Sequence, residues 1–311
     1  MALTPQSREA VRASQLQPSV TDPGYSWEDE RRADREAALA AGREHVAHVS
    51  EHVAVVEGSA GWAGRAGGVP VRFYRPGEGA PPGLVLHLHG GGFVLNDVEV
   101  HDASVRRFAN RSGMAMLSVE YRRPPEHRFP AAPDDVSTVV RWLDAGGLGE
   151  LGLPADVPLF VHGDSAGGNL ALVAALRHPG RFSAVALLYP FLDPTADSPS
   201  YHEENHGFGR AEALWYWEKY ASSPADLVDP DLAPLRSDRL ASLPPTLVTT
   251  AEHDPCRDDG ERLVALLAEA GVEVTGTRYL GLVHGFWRHP EAFDQAEPLM
   301  RQVASFLRQF I

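Results

Sequence analysis

The chain has 311 residues, 43% of them hydrophobic, with a formal net charge of −14 and a pI near 5.4. That charge argues against a nucleic-acid-binding face, which needs clustered cations to neutralise phosphates, and it favours solubility. No apolar run approaches the ~20 residues of a spanning helix, and the first residues lack the apolar core of a signal peptide, so a cytoplasmic setting without membrane contact is expected. The single cysteine, Cys256, rules out an internal disulfide and fits a reducing compartment. Its neighbours Asp254, Asp258 and Asp259 disfavour a thiolate, so Cys256 is not expected to act as a nucleophile.

Residues 1–25 carry prolines and polar groups without a clear period. Ser26, with Asp29 three positions on, resembles a capping box opening an Ala-rich helix that should end near Gly42. His45, His48 and His52, beside Glu44 and Glu51, would share one side of a helix and suggest a metal site. The segment lacks a helical pattern, however, and a solvated surface is expected. Two β-rich stretches, 53–56 and 69–74, flank a Gly-rich turn and read as a hairpin.

From residue 84 onward, compact apolar runs at 84–88, 114–119, 159–161, 185–188, 246–250 and 272–277 alternate with helix-like segments around 101–112, 134–145, 166–177, 257–270 and 291–309. That alternation builds βαβ units and a parallel sheet, hence an α/β fold. The interval between the runs ending at Leu188 and starting at Thr246 breaks the rhythm. It is rich in Pro and Asp and contains the aromatic cluster Leu214-Trp-Tyr-Trp-Glu-Lys-Tyr220. Two readings stand: a lid or binding insertion, or a surface helix packing its aromatics on the core.

Gly163-Asp-Ser-Ala-Gly167 fits G-x-S-x-G, a sharp strand-to-helix turn that presents Ser165 at the sheet edge, with a strand-like run before it and a helix-like run after it. A serine hydroxyl is a weak nucleophile and needs a base, which in turn needs an orienting acid. His284, in a loop between the last apolar run and the C-terminal helix, stands where the base belongs in the order Ser, acid, His. Asp254 leads as the acid. Asp258 and Asp259 fall in a helix's first turn, where the dipole alone favours carboxylates, and Glu252 is also close. In His87-Leu-His-Gly-Gly-Gly-Phe93, missing Cβ atoms let the Gly91 and Gly92 N–H groups join that of Ala166 around a developing oxyanion.

His89-Gly-Gly-Gly-Phe93, Gly163-Asp-Ser-Ala-Gly-Gly-Asn169, Asp254-Pro255 with Arg257-Asp258, and Val283-His-Gly-Phe286 together resemble the hormone-sensitive-lipase-like, bacterial family IV esterases over about residues 50–311. Tyr121-Arg122 and Pro125-Glu126 match that family's Y-R-L-A-P-E segment, with Arg123 and Pro124 in place of Leu and Ala. The resemblance implies an α/β-hydrolase fold: a mostly parallel sheet flanked by helices, a catalytic domain over 51–311, and a helical cap built from residues 1–50 and an insertion at about 191–245. It implies a serine carboxylesterase with the triad Ser165, Asp254 and His284, no metal and no cofactor. Acetyl to butyryl esters are the expected substrates, because no amphipathic basic stretch suits a lipid interface. Phe93, Phe208, Trp215, Trp217 and Phe286 are pocket candidates, with Tyr216 and Tyr220 beside them. The partner is a small-molecule ester, and a homo-oligomer is compatible with the sequence. An amide deacetylase or peptidase using the same triad, and a non-catalytic receptor on the same fold, are the alternatives.

Overall fold

The computed structural model describes residues 2–56, 67–203 and 208–311. Its strands are β1 (His48–Ala54), β2 (Val69–Arg75), β3 (Leu84–Leu88), β4 (Ala115–Val119), β5 (Leu159–Asp164), β6 (Ala184–Leu188), β7 (Thr246–His253) and β8 (Val274–Val283). The helices are α1 (Pro5–Ser14), α2 (Trp27–Ala40), α3 (Val98–Ser112), α4 (Ala131–Trp142), α5 (Leu148–Glu150), α6 (Ala166–Arg177), α7 (Pro199–Glu203), α8 (Arg210–Tyr220), α9 (Arg257–Glu269) and α10 (Ala296–Leu307).

The strands form one sheet in the order β1-β2-β4-β3-β5-β6-β7-β8. β1 and β2 pair antiparallel as the hairpin reading requires, β2 joins β4 antiparallel, and the remaining pairs are parallel. The Gly-rich turn of that hairpin lies largely outside the described residues. Every residue of β3, β4, β5 and β6 is buried, as strands covered by helices on both faces must be. Alternation divides their side chains: Leu84, Leu86 and Leu88 join the core under α4, α6 and α9, while Val85 joins the core under α3 and α10.

After β3 the chain crosses to β4 on one side, then returns to β5 on the other. Ligands in open α/β sheets bind at such a reversal, outside the carboxyl ends of the strands. Here those ends run into His89-Gly-Gly-Gly and Asp164-Ser165.

Thr4 caps α1 by accepting from the Ser7 N–H, and a proline fills the first turn. Only Ser7 and Val11 of that helix are buried, which explains why no apolar period marks it. α2 begins as expected, with Ser26 accepting from the Asp29 N–H at 3.1 Å. It then ties down the chain beyond β3: Arg31 donates to the carbonyls of Val94 at 2.8 Å and Pro124 at 2.7 Å, and Arg35 pairs with Asp97. His48 and His52 lie on a strand rather than a helix, and His52 Nε2 sits 2.8 Å from Ser50 Oγ.

The interval after β6 carries α7 and α8 and meets the N-terminal arm. Ser19 Oγ donates to Glu212 at 2.9 Å, and the Tyr25 ring stands edge-on to Trp215 at 6.0 Å. The two faces of α8 differ. Ala213, Trp217 and Tyr220 are buried in the core, while Glu212 and Tyr216, four residues apart, face the cavity at the sheet's carboxyl edge. No described helix is long and apolar enough to cross a membrane.

Candidate active site

Ser165 joins β5 to α6 with φ 55° and ψ −122°, a conformation that L-residues avoid and that only surrounding packing sustains. The small neighbours are a steric necessity. A Cβ at Gly163 would lie 2.2 Å from the Gly167 carbonyl oxygen, and one at Gly167 would lie 2.0 Å from that of Leu88. The turn is held by the Ser165 N–H donating to Leu188 at 2.9 Å, and Asn169 donates to the Phe191 and Leu232 carbonyls, both at 3.0 Å.

β8 runs on to Val283, where its end is buried, and delivers His284 to the same edge. His284 Nε2 is 2.9 Å from Ser165 Oγ, and Nδ1 is 2.8 Å from Asp254 Oδ2. A carboxylate on Nδ1 fixes the proton there and leaves Nε2 to accept from the serine hydroxyl. Asp254 is fully buried and also accepts from the Cys256 N–H at 2.8 Å. The competing carboxylates are engaged elsewhere: Asp258 accepts from the Ser200 N–H, Asp259 from those of Leu192 and Asp193, and Glu252 from that of Gly281. Burial raises the Cys256 thiol pKa, which keeps that residue inert.

The loop after β3 reaches the site from the other side. Gly91 and Gly92 have φ of 116° and 57°, and a Cβ on Gly92 would fall 2.2 Å from the Tyr216 ring. The Gly90 N–H donates to Asp164 Oδ1 at 3.1 Å, Asn96 Nδ2 donates to the Gly90 carbonyl at 3.2 Å, and Tyr121 stacks on His89 while its hydroxyl donates to the His89 carbonyl at 2.7 Å. The departure at Arg123 acquires a role here, since its guanidinium donates to the Asn96 carbonyl. Pro124 offers its carbonyl to Arg31.

A cavity of about 190 Å³ opens over Ser165 and His284, walled by Gly91, Gly92, Phe191, Phe208 and Tyr216, with Asn96, Asp164, Glu212 and Arg288 completing it. Of the aromatic residues expected at the pocket, Phe208 and Tyr216 line it. Phe93 is buried and stacks on Tyr220 at 3.8 Å, Trp217 packs on Phe191 at 4.4 Å, and Phe286 lies beneath, against Tyr189 and Tyr279. Trp215 faces away, toward Tyr25 and the Lys219 ammonium. Aromatic character alone did not separate cavity wall from core in the sequence; the i,i+4 pairing of Glu212 with Tyr216 could have done so. Asn96, Phe191 and Arg288 carried no comparable signal.

Below the site lies a polar column. Arg288 donates to His101 Nε2 at 3.2 Å, so the His101 proton is on Nδ1 and points to His87 Nε2 at 3.3 Å; His87 Nδ1 in turn meets His162 Nδ1 at 3.0 Å. Burial lowers the pKa of all three histidines and of His89, with His89 and His162 pulled down to about 3. Asp164, also buried, is pushed up. His87, His101 and Asp164 bring donor atoms within 4.8 Å of one another, but the Arg288 bond makes His101 Nδ1 a proton donor rather than a ligand.

Fold and site place the chain among the carboxylic ester hydrolases. It belongs to the α/β-hydrolase family, which matches over residues 85–288, and within it to the hormone-sensitive-lipase-like, family IV branch. Carboxylic ester hydrolase LipN of Mycobacterium tuberculosis is 39% identical over 72% of this chain and 62% of its own length. Ethyl acetate hydrolase of Pseudomonas putida is 34% identical over 78% of this chain and 79% of its own. The structure of a hyperthermophilic esterase from the archaeon Pyrobaculum calidifontis superposes with a TM-score of 0.88 over 99% of both chains, at 34% identity.

Proposed function

We propose that the chain hydrolyses short-chain acyl esters, acetyl to butyryl, through an acyl-enzyme on Ser165. The observation that carries this reading is the hydrogen-bonded relay Asp254–His284–Ser165 opening into a cavity of about 190 Å³. His284 takes the serine proton as Oγ attacks the acyl carbonyl, and the N–H groups of Gly91, Gly92 and Ala166 receive the oxyanion. The C–O bond then breaks, and His284 delivers its proton to the departing alkoxide. A water attacks the acyl-enzyme by the same route, releasing the carboxylic acid and restoring Ser165. Asp254 orients His284 and stabilises its cation. Residues 1–50 and the insertion at about 191–245 act together as the cap that limits the cavity. No step calls on a metal, so exhaustive EDTA treatment should leave activity intact.

The test is kcat/KM across p-nitrophenyl esters of about two to twelve acyl carbons, since each methylene gains burial until the pocket is full and then clashes. An optimum at about two to four carbons with a steep fall by about eight is expected; an optimum at ten or twelve overturns the short-chain reading. Anilides of the same acyl groups, which require protonation of a leaving amine, should turn over more slowly. Faster anilide cleavage would make the chain an amidase.

A further inference from the structure

At Tyr216 and Glu212 the catalytic cavity adjoins a larger cleft of about 830 Å³, bounded by residues 14–25 of the arm on one side and by α7 and α8 on the other. Its volume falls in the range of small-molecule sites, but such sites are usually lined mainly by apolar side chains. Here the arm contributes Gln15, Gln17 and Asp22, and α2 contributes Glu30. The tyrosines that line it are Tyr25, Tyr201 and Tyr216. The Tyr25 hydroxyl is buried and has no hydrogen-bond partner among the described residues. Glu30 faces the same space, and burial together with the charge of Asp34 raises its carboxyl pKa. The Tyr25 hydroxyl has lost water without gaining a partner, a cost that a hydrogen-bonding ligand relieves.

We propose that this cleft takes a hydroxyl-rich leaving group, the alcohol half of a sugar-sized acyl ester, while the inner cavity holds a short acyl chain. The proposal rests on the hydrolase reading above and adds to it the chemistry of the alcohol. A sugar hydroxyl both donates and accepts, which suits carboxylates that only accept, amides that do both and a phenol awaiting a partner. Its C–H faces lie flat on tyrosine rings. An alkyl alcohol of the same length would cover these polar groups without satisfying them, and sites built for hydroxyl groups discriminate against analogues that lack them. The inner cavity also carries polar groups, Asn96 and Arg288 among them, but at about 190 Å³ it has room for a short acyl chain and not for a sugar.

The experiment compares two acetate esters of similar size, 6-O-acetylglucose and hexyl acetate, with p-nitrophenyl acetate as a check on the ester chemistry itself. Wild-type kcat/KM should favour the sugar ester by about tenfold or more, mainly through KM. Tyr25→Phe and Glu30→Gln should each lower that ratio about threefold to tenfold; because the ratio is taken within one preparation, loss of folded protein cancels. Equal or faster cleavage of hexyl acetate by the wild type overturns the proposal, as does a ratio unchanged in both variants. Failure of all three esters, p-nitrophenyl acetate included, overturns the hydrolase reading beneath it.

Discussion

The proposed relay through Ser165 would concentrate the chemistry in atoms whose removal changes little else. Ser165→Ala deletes one oxygen from a well-packed turn, so turnover should vanish while the thermal midpoint stays nearly unchanged; residual hydrolysis at the wild-type rate would discard Ser165 as nucleophile. Asp254→Asn should cost about 10⁴ in kcat, because an amide no longer fixes the His284 tautomer, whereas Asp258→Asn should be mild, its carboxylate being spent on Ser200. Comparable losses would refute that division. Gly92→Ala adds a methyl group against the Tyr216 ring at a φ of 57°, and displacing one oxyanion donor should lower kcat by about 10²–10³ with less effect on KM. That Ser165, Asp254 and His284 would meet was legible in the sequence because an elbow motif, a loop histidine and an aspartate after a strand stood in a fixed order. The choice of Asp254 over its neighbours was finally a matter of direction, which only the turn at residues 254–256 supplies.

At the scale of the element, α8 has two sides with different consequences. Trp217 is core, so Trp217→Ala should destabilise the fold by about 3–5 kcal/mol, read by urea unfolding, without widening the acyl range. Tyr216→Ala should widen it, because that ring walls the cavity. A broadened profile in the tryptophan variant alone would reverse the assignment. The buried strands β3 to β6 and the helix α6 were readable as apolar runs to within about three residues. α1 was not, since most of its face is solvated, and β8 was read short because its middle residues Arg278 and Leu280 are exposed on an edge strand. Local pattern reports burial; where burial is slight, the pattern fades.

For the molecule as a whole, the buried histidines set the acid limb of stability. His87, His89, His101 and His162 are held neutral by burial, two of them down to about 3, whereas in the unfolded chain they protonate near 6.5. Below about pH 6.5 the unfolded state therefore binds more protons, and stability falls as pH drops toward 3, by up to about 1.4 kcal/mol per pH unit for each histidine. Buried Asp164 and Asp259, raised by desolvation, work in the opposite direction, so the informative quantity is a difference. His162→Phe, placed beside Phe108, should unfold less steeply with acid than the wild type between pH 6 and 4. Identical slopes would mean that His162 is charged in the folded state.

The grip of Arg31 on the carbonyls of Val94 and Pro124 makes the N-terminal arm a splint for the loop proposed to hold the oxyanion, although the arm contributes no atom to the relay. Ester turnover in this chain thus doubles as a gauge of whether its first forty residues are docked. Arg31→Ala should lower kcat more than it raises KM, and limited proteolysis within residues 15–25 should extinguish activity before the hydrolase core begins to melt.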